Sequence, residues 1–307
     1  MNPAWRRGLP ALALLVGLLA PLASRAGTEL LCAREREATA AEQARALRFS
    51  AALRELMEAG GQDLALVARD GLDLRRWGQR YSHAGLALRD NPAGPWAVRQ
   101  LYFDCDSGRP RLFDQGLAAF VRGSQRPQQG FMALLLLPPE ASAALHALAL
   151  DNARALDLLH PAYSANAYVY GLRYQNCNQW LAELLAAAWG GAGDRAEAQA
   201  WLREQGYAGT VLQLPGRPWL WLAALSPWLH LAEHPDEDLA AARQRISLPQ
   251  GLMDWLQQRF PAARRVDLCE SAEGLIQREG GFAPQAACEL QPGDRLLAAP
   301  GRPDAPG

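Results

Sequence analysis

The stretch from Tyr174 to Trp180, YQNCNQW, constrains this chain more than any other. It sets a single cysteine where an irregular, tyrosine-rich approach gives way to an apolar helix. Trp180, Leu181, Leu184, Leu185 and Ala188 recur at helical spacing, which predicts an amphipathic helix over residues 177–189. Asn176 is a suitable N-cap, and Gln179 three residues on completes a capping-box pattern. Cys177 then falls in the first turn, where unpaired backbone N–H groups and the positive end of the helix favour an anion. A thiolate placed there is expected to have a lowered pKa and to act as a nucleophile at neutral pH. The competing expectation for a lone cysteine is a small apolar core residue.

The cysteine count bears on that choice. Cys32, Cys105, Cys177, Cys269 and Cys288 make an odd set, so at least one thiol stays single unless a second chain supplies a partner. Cys269 and Cys288 flank a short polar segment and are expected to form a local bridge. Cys32 and Cys105 are then left to pair, and Cys177 stays free, although parity alone does not select it. Disulfides imply an oxidising compartment, and the N-terminus agrees. Arg6 and Arg7 precede an apolar run over 9–22 and a small-residue site ending at Ala26, the pattern of a secretory signal peptide over 1–26. The run is too short for a comfortable membrane span of ~20 residues. Glu29, Leu30 and Leu31 before Cys32 do not fit a lipoprotein signal. The expectation is an exported, soluble, periplasmic protein.

The formal charge is −1. Loss of the signal removes Arg6, Arg7 and Arg25 and no acid, leaving the remainder near −4. Non-specific nucleic-acid binding, which needs a basic face, is disfavoured. The chain contains no lysine, which excludes Schiff-base chemistry and a phosphate-loop lysine. Nothing in the motifs calls for a cofactor.

In order, the pattern predicts a helix over 39–59, a strand over 63–68 and an antiparallel hairpin from strands 80–88 and 96–104. A buried strand follows over 131–137, then a helix over 140–159, a short strand over 166–171, the cysteine helix, a helix over 196–204 and another within 247–260. Residues 266–297 read as short strands stapled by Cys269 and Cys288. This is an α+β chain. The division is 1–26 signal, 27–260 main domain, and 261–307 C-terminal segment and tail. Trp219, Trp221 and Trp228 lie in an apolar stretch over 214–232 broken by Pro218 and Pro227, so it is no single membrane helix. It suits a core or groove lining, or a face for peripheral membrane contact.

His83 sits on the strand YSHAGLAL, with Gly85 beside it to admit close approach of a backbone or a substrate. Such a histidine is often structural. Beside a helix-capped cysteine it is a candidate general base, and it then needs a polar group to fix its tautomer. The following strand offers Gln100 and Asp104, with Gln100 preferred.

Ser82, His83 and Gly85 on a strand, followed much later by Asn176 and Cys177 at a helix start, resemble the circularly permuted papain-like fold. That group holds permuted relatives of NlpC-type cell-wall hydrolases and the lecithin:retinol acyltransferase-like enzymes. The resemblance implies an antiparallel sheet packed against the cysteine helix, with Cys177 as nucleophile, His83 as base and Gln100 as orienter. It also implies an oxyanion held by the Cys177 N–H with Gln175 or Asn178. The implied activity is acyl transfer on an amide, such as a peptidoglycan peptide, or on a lipid-type ester. The helix expected over 140–159 is an addition to that pattern. The longer set RYSHAGLALRD, VRQLYFDC, RLFDQGL and RYQNCNQWLAELL resembles an uncharacterised family of exported proteobacterial proteins, domain of unknown function 2145.

Two rival readings stand beside this. His230, Glu233 and His234 spell H-x-x-E-H, the inverted zinc-protease spacing, with Glu270 or Glu273 as third ligand. Pro227 and Pro235 leave that motif barely two helical turns. The other rival is a non-catalytic exported binding or assembly protein in which His83 and Cys177 are core.

Overall fold

The computed structural model describes residues 37–123, 130–271 and 273–298. The expected signal sequence, Cys32 and its expected bridge to Cys105, and the C-terminal tail lie outside them. Cys105 is itself disulfide-bonded.

Alternating and fully apolar runs form strands β1 (Leu64–Arg69), β2 (His83–Leu88), β3 (Ala97–Asp104), β4 (Arg109–Gln115) and β5 (Phe131–Leu136). They are followed by β6 (Thr210–Gln213), β7 (Arg243–Ile246), β8 (Arg264–Ser271), β9 (Gly274–Glu279) and β10 (Arg295–Ala298). The helices are α1 (Ala40–Ala59), α2 (Leu117–Arg122), α3 (Pro139–Leu150), α4 (Asn152–Asp157), α5 (Cys177–Gly190), α6 (Arg195–Glu204), α7 (Pro218–Ala224), α8 (Asp236–Ala240) and α9 (Pro249–Arg259). Eight strands make one antiparallel sheet in the order β10-β9-β8-β5-β1-β2-β3-β4, while β6 and β7 pair separately. The expected α+β class and the antiparallel sheet against the cysteine helix are present.

Strand periodicity divides the core in two. Leu64, Leu66, Leu86, Ala133 and Leu135 face α3, α5 and α9 with Trp180, Leu184, Leu185, Leu252 and Leu256. Ala65, Val67, Ala87, Val98, Met132 and Leu134 face α1 and α2, meeting Phe49, Leu53, Met57 and Phe120. β8 pairs with β5 from Phe131↔Cys269 to Leu136↔Arg264, so the C-terminal strands extend the main sheet. The Cys269–Cys288 disulfide is formed, with Cα atoms 5.8 Å apart.

Several boundaries differ from expectation. The helix expected over 140–159 is two helices. Asp151 ends α3 in extended backbone and its carboxylate caps α4, accepting from the N–H groups of Ala153 and Arg154. Residues 166–171 form turns, joined to β7 only by the isolated bridge Tyr168↔Ile246. β4 and α2 had no counterpart in the pattern. Among the described residues no helix is long and apolar enough to cross a membrane.

Candidate active site

Asn176 adopts extended backbone and its Oδ1 accepts from the Gln179 N–H at 2.7 Å, so Cys177 is the first residue of α5. Only half of the expected capping box is made. Gln179 turns away, its Nε2 donating to the carbonyls of Tyr168, Val169 and Gly171 at 2.9–3.4 Å. The asparagines on either side of Cys177 are tied to one acceptor, since Asn176 Nδ2 and Asn178 Nδ2 both donate to Ser247 O, at 3.3 and 3.2 Å. Asn178 Nδ2 also donates to Ser82 O at 3.1 Å, fastening the start of α5 to the residue before His83.

The loop leading to Cys177 is gripped from both sides. Glu233 accepts from the N–H groups of Leu172, Arg173 and Tyr174 at 2.8–3.2 Å. Arg195 donates to the carbonyls of Gly171, Leu172 and Tyr174 and forms an ion pair with the buried Glu183. Glu183 further accepts from Gln175 and Gln199, at 2.5 Å each. Burial pushes the Glu183 carboxyl above its usual range, and Arg195 opposes that rise. Removing one member of a buried pair leaves an uncompensated charge, at about 3–5 kcal/mol.

These contacts assign the H-x-x-E-H residues to other tasks. Residues 230–234 form turns rather than a helix. Glu233 binds three amides. His234 Nε2 lies 2.8 Å from Asn166 O, and His230 stacks on Tyr174 with ring centroids 4.1 Å apart. Glu270, one proposed third ligand, pairs with Arg45 and Arg48. Among the described residues no group of three or more His, Cys, Asp or Glu is arranged to hold a metal ion.

His83 opens β2, and Gly85 explains its setting. A Cβ at Gly85 would come within 2.6 Å of Val98 Cγ1 and 2.8 Å of Arg99 O. The close approach that Gly85 permits is therefore that of β3, and it brings Gln100 to His83. His83 Nε2 is hydrogen-bonded to Gln100 Oε1, and Gln100 Nε2 donates to Gln115 Oε1 at 2.7 Å. With its NH2 committed to Gln115, the Gln100 amide presents its oxygen to the ring. That requires the proton on Nε2 and leaves Nδ1 as the basic nitrogen. Asp104 is engaged elsewhere, with Ser107 at 2.6 Å and Arg111 at 3.0 Å.

Cys177 and His83 are each 8 % exposed. No hydrogen bond joins them to one another. His83 lies 5.9 Å from the Phe120 ring, on the α2 side of the sheet, and Cys177 belongs to the cluster on the other side. Arg69, opposite His83 in the β1–β2 register, acts on both. Burial, then the Arg69 charge, lowers the imidazole to about 3 despite the bond to Gln100. Burial raises the Cys177 thiol to about 11, against the pull of Arg69, the N–H groups of Asn178 and Cys177, and the Tyr163 hydroxyl. The expectation of a lowered thiol pKa is corrected: the helix-end donors are in place, but desolvation outweighs them. The resting groups are a neutral thiol and a neutral imidazole.

The expected oxyanion donors are also displaced. Gln175 Nε2 is spent on Leu158 O and Glu183, and Asn178 Nδ2 on Ser82 O and Ser247 O. Sequence reasoning overlooked Arg69, Tyr163 and Glu183, and it read Glu233 as part of a zinc motif rather than as the anchor of the cysteine loop. Of the three overlooked residues only Glu183 left a signal, as an acid among the apolar residues of the cysteine helix.

Against known families, residues 56–256 match the family described as an uncharacterized protein conserved in bacteria, DUF2145. The chain belongs to DUF2145. No curated protein and no solved structure matches it. The match spans both His83 and Cys177, so both halves of the candidate site lie inside the DUF2145 region.

Proposed function

We propose that this DUF2145 chain is an exported thiol hydrolase of permuted papain-like type, acting on an amide, such as a peptidoglycan peptide, or on an ester. The observation that carries the reading is the setting of the free thiol. Cys177 is the first residue of a capped helix, and the N–H groups of Cys177 and Asn178 act on its sulfur. The neighbouring strand offers an imidazole whose tautomer Gln100 sets. In this reading the His83 ring, which opens β2 on the other side of the sheet, must turn past the strand end towards Cys177 when substrate binds. Its Nδ1 then takes the thiol proton as sulfur adds to the carbonyl and delivers it to the leaving group. The disulfide-bonded cysteines support export to the periplasm.

The test is acylation by p-nitrophenyl acetate, followed by peptide mapping. The wild-type chain should show a p-nitrophenol burst and an acetyl group on Cys177. Cys177→Ala should lose both while its melting temperature stays within a few degrees. His83→Ala should slow the burst by about 10²–10⁴-fold. An acetyl-free Cys177 would sink the hydrolase reading.

The burial of the sulfur favours a second reading, an exported binding or assembly protein with Cys177 as a core residue. It predicts that Cys177→Ala lowers stability and removes no reactivity.

The proposed peripheral membrane contact lies on α7 and its continuation. Trp219, Trp221, Leu222 and Leu225 are exposed, Trp221 at 70 % and Leu225 at 78 %. Arg76 stacks over Trp219 and Trp77, at 5.3 and 4.0 Å. Trp and Arg side by side suit a headgroup boundary. Trp228 stands apart, half-buried with its ring 4.4 Å from Phe103.

A further inference from the structure

After α7 the chain runs back over the segment that leads into Cys177. Residues 228–234, between Pro227 and Pro235, lie across residues 163–174 as a strap. The Trp228 carbonyl accepts from the Ala165 N–H at 2.9 Å. The His230 N–H donates to Asn166 Oδ1 and Ser164 Oγ, at 2.9 and 3.1 Å. Glu233 accepts from the amides of Leu172, Arg173 and Tyr174, and His230 stacks on Tyr174. At the other end the Trp228 ring stands edge-on to Phe103, whose centroid is 5.0 Å from that of Tyr163. Tyr163 is bridged to Gln175 and packs against the apolar cluster that holds Cys177. Strap contacts therefore fall on the loop entering α5 and on rings packed against the cluster of Cys177.

The strap is seated by polar contacts rather than by burial. None of residues 228–233 is buried, and only His234 at its end is. Trp228 Nε1, His230 Nδ1 and His234 Nδ1 on the strap, and Asn166 Nδ2 under it, are buried polar atoms with no hydrogen-bond partner among the described residues. An orphaned donor or acceptor costs at least as much as an ordinary hydrogen bond contributes, which offsets much of what the strap's own bonds supply. Segments with few buried apolar contacts open at a free energy below that of global unfolding. We infer that residues 228–234 are a gating strap for Cys177 and that Glu233 is its latch. With the strap closed, Cys177 is 8 % exposed. With it lifted, Trp228 leaves Phe103, the amides of residues 172–174 are released, and the sulfur meets solvent. The gate governs access to the thiol whatever chemistry follows, so it goes beyond the hydrolase reading.

Alkylation of the native full chain by iodoacetamide, read at Cys177 by peptide mapping, reports how often the gate is open. Glu233→Ala removes the latch and should speed alkylation about tenfold or more, the effect of losing charged hydrogen bonds. Glu233→Gln keeps an acceptor and should fall between that variant and wild type. Trp228→Ala keeps the latch, uncovers Phe103 and should also speed the reaction. Leu53→Ala, in the cluster on the far side of the sheet, lowers global stability and should leave the rate near wild type well below the melting temperature. Should Glu233→Ala not fold, the rates of Glu233→Gln and Trp228→Ala decide. Variants of Glu233 and Trp228 that react no faster than wild type would overturn the gate. So would an equal acceleration by Leu53→Ala, since the sulfur would then react through global unfolding. None of these readouts needs an acylated cysteine, so the hydrolase reading is judged separately by p-nitrophenyl acetate.

Discussion

At the residue scale, the resting site is a pair of groups that burial keeps uncharged. An imidazole held at about 3 takes up no proton in the native state between pH 6.5 and 3, whereas the unfolded chain does. Stability contributed by His83 is therefore present above pH 6.5 and is lost as pH falls towards 3, by up to about 1.4 kcal/mol per pH unit. His83→Gln should flatten the urea-unfolding free energy across that window relative to wild type; an unchanged slope would mean the ring is solvated and charged. The cysteine has the opposite sign: its thiol, held at about 11, gives up stability as pH rises from 9 to 11. Cys177 and His83 were legible in the sequence through residue type and position. Their ionisation was not, because it is set by Arg69 and by burial, which are properties of the assembled sheet.

At the element scale, the β2–β3 hairpin and α5 were legible because local rules suffice for them: alternation for the strands, a cap and an apolar stripe for the helix. β4 was not. Its Pro110 and charged residues mask any alternation, and it is a strand because it lies at the sheet edge, where a proline is tolerated. Gly85 is where one missing Cβ lets β3 come close enough to pair Gln100 with His83. Gly85→Ala must displace Val98 and the Arg99 carbonyl, costing about 1–3 kcal/mol and moving Gln100 off the ring. Its imidazole nitrogen chemical shifts should show the fixed Nε2–H tautomer replaced by a mixture. A retained tautomer would show that Gln100 does not set it.

At the scale of the whole molecule, the strand order places the C-terminal β8 beside the central β5, and no local pattern encodes that pairing. The exposed aromatic patch is likewise visible only once the fold shows which tryptophans stay outside. Vesicles of phosphatidylglycerol should sediment the wild-type chain, and vesicles of phosphatidylcholine should do so less, because Arg76 favours an anionic surface. The double variant Trp221→Glu, Leu225→Glu should stay in the supernatant with both. Equal binding by the variant would remove α7 as the contact.

Glu233 binds amides 59–61 positions earlier in the chain. Its carboxylate is the counterpart without which the segment entering α5 has three N–H groups unmatched. The ordering of the loop that leads into Cys177 is thus completed only by a residue far downstream, so a chain cut short before residue 233 would lack the carboxylate that holds those three amides.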